Sequence, residues 1–260
     1  MSPAEHATID RALLAARAAA FAPGEFVGQE SFVSAGEVLS LARRAGVAPG
    51  ISVLDLCCGT AGPGLFITRE LGCTYLGVDA SPASVTLARQ RAAREGLGCR
   101  FHVARVPPIP AGRFDVVLLL ETLLAFRDKE ALLRAVASAL PEGGRFAFTV
   151  EEGTPLTPVE RDLMPGSDTV WLTPLPDLVS ALERAGLLVR WHGECSEAHL
   201  ATVDALTGAY AAAASRGMTE YPGRRAVDEL LASHRLWSRW LRYGRVRKFV
   251  VVAEKPHRHR

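Results

Sequence analysis

The chain has 260 residues, enough for one substantial domain with or without an appended cap. Its hydrophobic share of 48% is that of an ordinary globular protein, and a net charge of +2 supplies no basic field, which argues against nucleic acid as a partner. No apolar run reaches the roughly 18 residues of a membrane span. Five cysteines, with neither a Cys-x-x-Cys pair nor a leader, point to reduced thiols in the cytoplasm and to no metal site.

Lysine occurs only at Lys129, Lys248 and Lys255, a bias that reads as gene base composition rather than function. The first segment, Pro3 to Ala20, is alanine-rich, and Ile9, Leu13 and Ala16 recur at helical spacing. After the Pro23-Gly24 turn, Ser31 reads as the N-cap of a helix over residues 32–45, with Ser34 where a capping box needs Glu. Ile51 to Leu56 is a first strand. Pro63 fits the first turn of a helix ending near Gly72. Thr74 to Asp79 is a second strand, and Ser81-Pro82 opens a helix that ends at Gly96.

Further strands are expected at Arg100–Val103, Phe114–Leu120 and Arg145–Val150, with a helix capped by Asp128 between the last two. The run Phe114–Leu120 is wholly apolar, as in a strand buried on both faces. Thr173-Pro174 opens a helix to Gly186, and a sixth strand starts at Leu187. The alternation predicts an α/β fold with a doubly wound, seven-stranded Rossmann-like sheet. A parallel crossover needs one helix before the last strand, Arg247–Ala253, but two are expected, near Ala198–Ser215 and Arg224–Trp240. The surplus reads as a helical cap inserted between strands six and seven. The expected organisation is an N-terminal helical segment (1–50), an α/β core (51–195), the cap (196–244), a last strand (245–256) and a tail (257–260).

The stretch Val53-Leu54-Asp55-Leu56-Cys57-Cys58-Gly59-Thr60-Ala61-Gly62-Pro63-Gly64 is a strand, an acid, a glycine-rich turn and a helix start. Such a turn brings backbone close to a ligand. Asp55 at its mouth opposes a phosphate and suits a ligand carrying positive charge or hydrogen-bond donors. Asp79 ends the second strand, where an α/β fold grips ribose hydroxyls, with Ala80 just beyond. Glu121 ends the apolar fourth strand, where a charge needs a reason; it is the first choice to face the reacting group. Glu151 ends the fifth strand. His192 and His199, at and just beyond the end of the sixth, are candidates for a base or for substrate contact. Cys57 reads as a small buried thiol. Tyr210 and Tyr221 lie in the cap, where core and pocket are both open to them. Trp237 and Trp240 form an i, i+3 pair suited to a core.

The turn and Asp79 together resemble motif I and the ribose-binding acid of the class I S-adenosylmethionine-dependent methyltransferases. That family's pattern is roughly Asp-x-Gly-x-Gly-x-Gly; here Cys57 and Ala61 replace two of its glycines, Gly59 matches, and Gly62 and Gly64 are shifted. The resemblance implies S-adenosylmethionine as cofactor, held by Gln29, Asp55, Cys57, Gly59, Ala61, Gly62, Asp79, Ala80, Ala104 and Glu121. It further implies an N-terminal lid and contact of Gln29 and Phe32 with cofactor or substrate. The expected activity is methyl transfer to a small-molecule acceptor, an N, O or C nucleophile such as a natural-product intermediate. Glu121, His192 and His199 are its catalytic candidates; Phe32, Glu151, Tyr210 and Tyr221 are its substrate contacts. A monomer or homodimer is expected. The alternative keeps the cofactor for a non-methylating reaction such as a cyclisation, or for ligand binding. A nicotinamide enzyme is opposed by the missing Gly-x-Gly-x-x-Gly.

Overall fold

The computed structural model describes residues 13–215 and 223–257. Residues 13–20 are helical (α1); Ile9 and Tyr221 lie outside the described residues. In chain order follow α2 (Ala35–Arg44), β1 (Ser52–Leu56), α3 (Gly62–Leu71), β2 (Thr74–Asp79), α4 (Pro82–Arg94), β3 (Arg100–Val103) and β4 (Val116–Leu119). The second half runs α5 (Lys129–Ala139), β5 (Arg145–Glu152), α6 (Pro158–Leu163), α7 (Leu175–Arg184), β6 (Leu188–Glu194), α8 (Ser196–Ser215), α9 (Gly223–Arg242) and β7 (Arg247–Glu254).

Among the described residues these strands form one seven-stranded sheet, in the order β3-β2-β1-β4-β5-β7-β6. Alternating side chains on the buried strands feed two separate cores. Leu54, Leu56, Val117, Leu119, Phe146 and Phe148 pack with Leu132 and Val136 of α5 and Leu178 and Leu182 of α7. Val53, Tyr75, Val116 and Leu118 pack on the other face with Val38 and Leu41 of α2, Leu65 of α3 and Val85 of α4. This is the doubly wound arrangement expected from the alternation of elements.

The last strand departs from the parallel order of the first five: β7 inserts between β5 and β6 and runs antiparallel to both. Antiparallel neighbours need only a hairpin, so the whole α8–α9 pair is an insertion, not just its surplus over a crossover. Its helices pack together through Leu206, Tyr210, Val227 and Leu231, with Ala16 of α1 against them. A second apolar cluster joins Val203, Trp237 and Trp240 to Leu156, Met164 and Val170 of the β5–α7 connection. Trp237 and Trp240 meet edge to face at 5.5 Å.

The cap of α2 is also three residues later than expected. Ser34 accepts the Glu37 N–H and Glu37 returns a bond to the Ser34 N–H, a complete capping box. Sequence reading took the earlier serine and so missed the acid three residues after the later one. Removing the Ser34 hydroxyl should cost about 1 kcal/mol, whereas Ser31→Ala should stay within about 0.5 kcal/mol. Urea unfolding of the two variants checks this; equal losses would contradict it.

Candidate active site

The ends of β1, β2, β4 and β5 open into one cavity of about 560 Å³, within the usual range for small-molecule sites. At one end the β1–α3 turn is held by Asp79. Its Oδ2 accepts the Gly59 N–H at 2.9 Å and its Oδ1 accepts the Ser81 N–H at 2.8 Å. A Cβ built on Gly59 meets nothing closer than 3.9 Å, so this stretch of backbone faces open space. The fit to a ribose-bearing cofactor rests on that bare backbone beside a strand-end carboxylate.

The departures from the glycine pattern have physical readings. Cys57 and Ala61 have φ of 58° and 60°, the left-handed region that glycine prefers. The turn therefore keeps the backbone path while lacking the residue. The shifted glycines answer to packing. A side chain at Gly62 would strike the Val27 and Gly28 backbone, and one at Gly64 would strike the Tyr75 ring and hydroxyl. That hydroxyl donates to Asp55 Oδ2 at 2.6 Å. Burial, against the Tyr75 bond and with the Asp79 carboxylate adding to it, pushes Asp55 up to about 7. Asp55 thus titrates close to neutral pH, with its Oδ2 bound to the Tyr75 hydroxyl. Burial and the Asp79 and Asp55 carboxylates push the Cys57 thiol up to about 12, which makes it inert as a nucleophile.

The segment before α2 crosses this turn. Arg91 of α4 reaches it from below, donating to Val27 O, Gly28 O and Thr60 O at 3.1–3.3 Å. Gln29 lines the cavity, but its amide is spent on Glu25 O and Val33 O, each at 2.9 Å, and its Oε1 accepts the Val27 N–H. Gln29 therefore shapes the segment from within. Phe32 lines the cavity and stacks edge-on against His199 and His234, both at 5.2 Å.

At the other end of the cavity, Glu121 and Glu151 share one ammonium. Lys248 Nζ bonds both Glu121 Oε1 and Glu151 Oε1, the latter at 2.6 Å. The antiparallel register pairs Lys248 with Glu151 directly, which brings the start of β7 to the ligand-facing ends of β4 and β5. Glu121 has φ 60° and is bound on every side: Thr149 Oγ1 donates to its Oε1 at 3.1 Å and the Phe32 N–H to its Oε2 at 3.2 Å. Burial would raise Glu121, but the Lys248 ammonium outweighs it and holds the carboxyl below the usual range. Burial raises Glu151, beyond what Lys248 takes back, and Glu151 Oε2 is buried with no hydrogen-bond partner. His199 Nε2 lies 3.5 Å from Glu151 Oε1. Burial and the neighbouring Lys248 push His199 down to about 3, so it is neutral at pH 7 and a weak base.

The structure does not bring the other candidates to the cavity. His192 is exposed on β6 and leans on Phe249 at 6.0 Å, because the edge strand turns it to solvent. Tyr210 is buried in the α8–α9 core and accepts a bond from Arg17 Nε at 2.9 Å. Ala80 is exposed and Ala104 packs on the α5–α7 core; neither lines the cavity. Sequence reading missed Lys248, and it missed Met164, Thr169, Val170, Ser233 and Trp237 as lining residues. Lys129 holds part of that wall, donating to Phe126 O and Trp171 O at 2.9 and 2.6 Å. A lysine inside a predicted strand of an arginine-dominated chain was the available signal for Lys248.

Residues 53–144 match a family model described as a methyltransferase domain. Methyltransferase GfsG of Streptomyces halstedii is 31% identical over 125 residues, which is 46% of this chain and 45% of that protein. Ajmaline N-methyltransferase of Rauvolfia serpentina is 29% identical over 145 residues, 50% of each chain. The chain thus spans about half the length of these curated relatives. The crystal structure of the [4+2]-cyclase SpnF superposes with a TM-score of 0.76 at 19% identity, covering 95% of this chain and 93% of that one. At that identity the likeness concerns the fold. Residues 53–144 thus carry a methyltransferase domain. The Asp55–Gly64 turn and Asp79 both lie inside the matched stretch.

The buried Asp55 carries a pH signature. Its pKa rises from 3.8 to about 7 on folding, so the folded state holds the proton more tightly and stability falls as pH rises across that window. Relative to Asp55→Asn, the wild type should lose on the order of 3–4 kcal/mol between about pH 4 and pH 7. Chemical unfolding of both proteins across that range measures it; a flat difference would contradict the burial argument.

Proposed function

We propose that the protein transfers a methyl group from S-adenosylmethionine to a small, largely apolar acceptor. The observation that carries this reading is a single cavity with two unlike ends. One end is bare turn backbone beside Asp79; the other is walled by Phe32, Leu124, Met164, Val170 and Trp237 around Glu121 and Glu151. When bound, the cofactor supplies an electrophilic methyl on a sulfonium.

The chain's own residues do the rest. Asp79 accepts from the ribose hydroxyls, and Gly59 and Cys57 let the backbone approach. Asp55 and Asp79 set two acidic side chains beside this stretch, which suits a cation. The segment 28–32 and the α9 residues Ser233 and Trp237 wall the cavity. Methyl transfer is a displacement at carbon, so most of the rate comes from alignment of acceptor and methyl within the site. No helix among the described residues is long and apolar enough to cross a membrane. The size of the cavity and its largely apolar far end favour a small molecule as the acceptor.

Calorimetry with S-adenosylhomocysteine tests the cofactor half. The wild type should bind it, and Asp79→Ala should bind more than about 100-fold more weakly, the loss of two hydrogen bonds to a charged acceptor. Unchanged affinity would remove Asp79 from the ribose site. Labelled S-adenosylmethionine with a panel of acceptors tests the transfer. Tight cofactor binding with no labelled product from any acceptor would favour a non-methylating use of the same site.

A further inference from the structure

The charges around the cavity do not balance. Its lining includes Glu30, Asp55, Asp79, Glu121 and Glu151 and, among the described residues, no lysine, arginine or histidine. At the acceptor end two carboxylates share one cation, Lys248, whose ammonium lies behind them and 2% exposed. His199 adds no charge, since its ring is buried and neutral. With both carboxylates ionised, one negative charge is left without a cation, in a pocket end walled by Phe32, Leu124, Met164, Val170 and Trp237 together with the hydroxyls of Thr122, Thr169 and Ser233. One carboxylate oxygen is also left without a hydrogen bond: Glu151 Oε2, on a side chain only 4% exposed. Unpaired buried charge and an unfilled buried acceptor are each costly. A neutral hydroxyl would fill the hydrogen bond and leave the charge. An anionic group, phosphate or carboxylate, would worsen it. A cationic N–H group answers both.

We infer that the acceptor is an apolar amine that enters as its ammonium and donates a hydrogen bond to Glu151 Oε2. An ammonium nitrogen has no free electron pair and cannot attack. Its N–H bond breaks towards Glu151 Oε2, the O–H bond forms there, and the pair stays on nitrogen. Glu151 is suited to the task because burial raises its carboxylate's affinity for a proton, while Lys248 and Thr149 keep Glu121 ionised beside it. Met164, Val170, Leu124 and Trp237 then receive the apolar body. Glu151 is thereby a catalytic residue in contact with the acceptor.

The consequence rests on the methyl-transfer reading, but the test does not. Calorimetry of the protein alone, at about pH 7.5 where an aliphatic amine is a cation, compares cyclohexylmethylamine with cyclohexylmethanol. The two probes share an apolar body and differ in the head group. The wild type should favour the amine by about tenfold or more, and Glu151→Gln should reduce that preference to within about threefold. S-adenosylhomocysteine binding, measured separately, should survive in the variant; its absence in the wild type would remove the cofactor site and leave the amine result standing. Equal binding of amine and alcohol by the wild type overturns the inference. So does binding of neither probe, or an amine preference that Glu151→Gln leaves intact. Should Glu151→Gln fail to fold, the wild-type ratio alone decides.

Discussion

The Lys248 ammonium, lodged between the Glu121 and Glu151 carboxylates, is the interaction on which one end of the cavity depends. It joins three neighbouring strands: β4 at its end, β5 near its end and β7 near its start. A buried ion pair is tolerated only when its remaining polar atoms are satisfied. Here Thr149 and the Phe32 N–H complete Glu121, while Glu151 keeps one open oxygen. Through the Phe32 N–H the same cluster reaches the segment that crosses the cofactor turn. The two halves of the cavity are thus mechanically linked, and the link passes through a carboxylate.

Strain is concentrated in the same places. Cys57, Ala61 and Glu121 are the residues other than glycine that adopt positive φ among those described, and all three line the cavity. Each such residue costs on the order of 1–2 kcal/mol. Their surroundings over-determine them: Asp79 fixes the turn that holds Cys57 and Ala61, and Thr149 and Lys248 fix Glu121. In return the backbone at the mouths of β1 and β4 is aimed into the cavity.

Much of the fold could be read from local signals. Strand β2 and its Ser81-Pro82 helix start stand where expected, because proline, the N-cap serine and an apolar run each act over a few residues. Asp79 was legible for the same reason, being an acid at a strand end. What escaped was non-local. The direction of β7 depends on which edge it joins, and no short-range pattern encodes that. With β7 taken as parallel, Lys248 falls at the far end of the sheet from the site. Glu121 drew attention as a charge on an apolar strand, but its ammonium partner lies 127 residues away in sequence. His192 and His199 looked alike as histidines near a strand end. The edge strand exposes one, and the first turns of α8 bury the other. The residues 153–173 carry no strong periodicity, so their place in the wall was invisible.

Lys248 is the cation that keeps both carboxylates in place. A double-mutant cycle between Lys248→Met and Glu121→Gln, read by urea unfolding at neutral pH, measures this directly. Lys248→Met alone should cost about 3–5 kcal/mol by stranding two buried charges. Adding Glu121→Gln should recover part of that loss, giving a coupling above about 1 kcal/mol. Additive losses would mean that the ammonium and the carboxylates act independently, and the charge balance drawn for the cavity would be wrong.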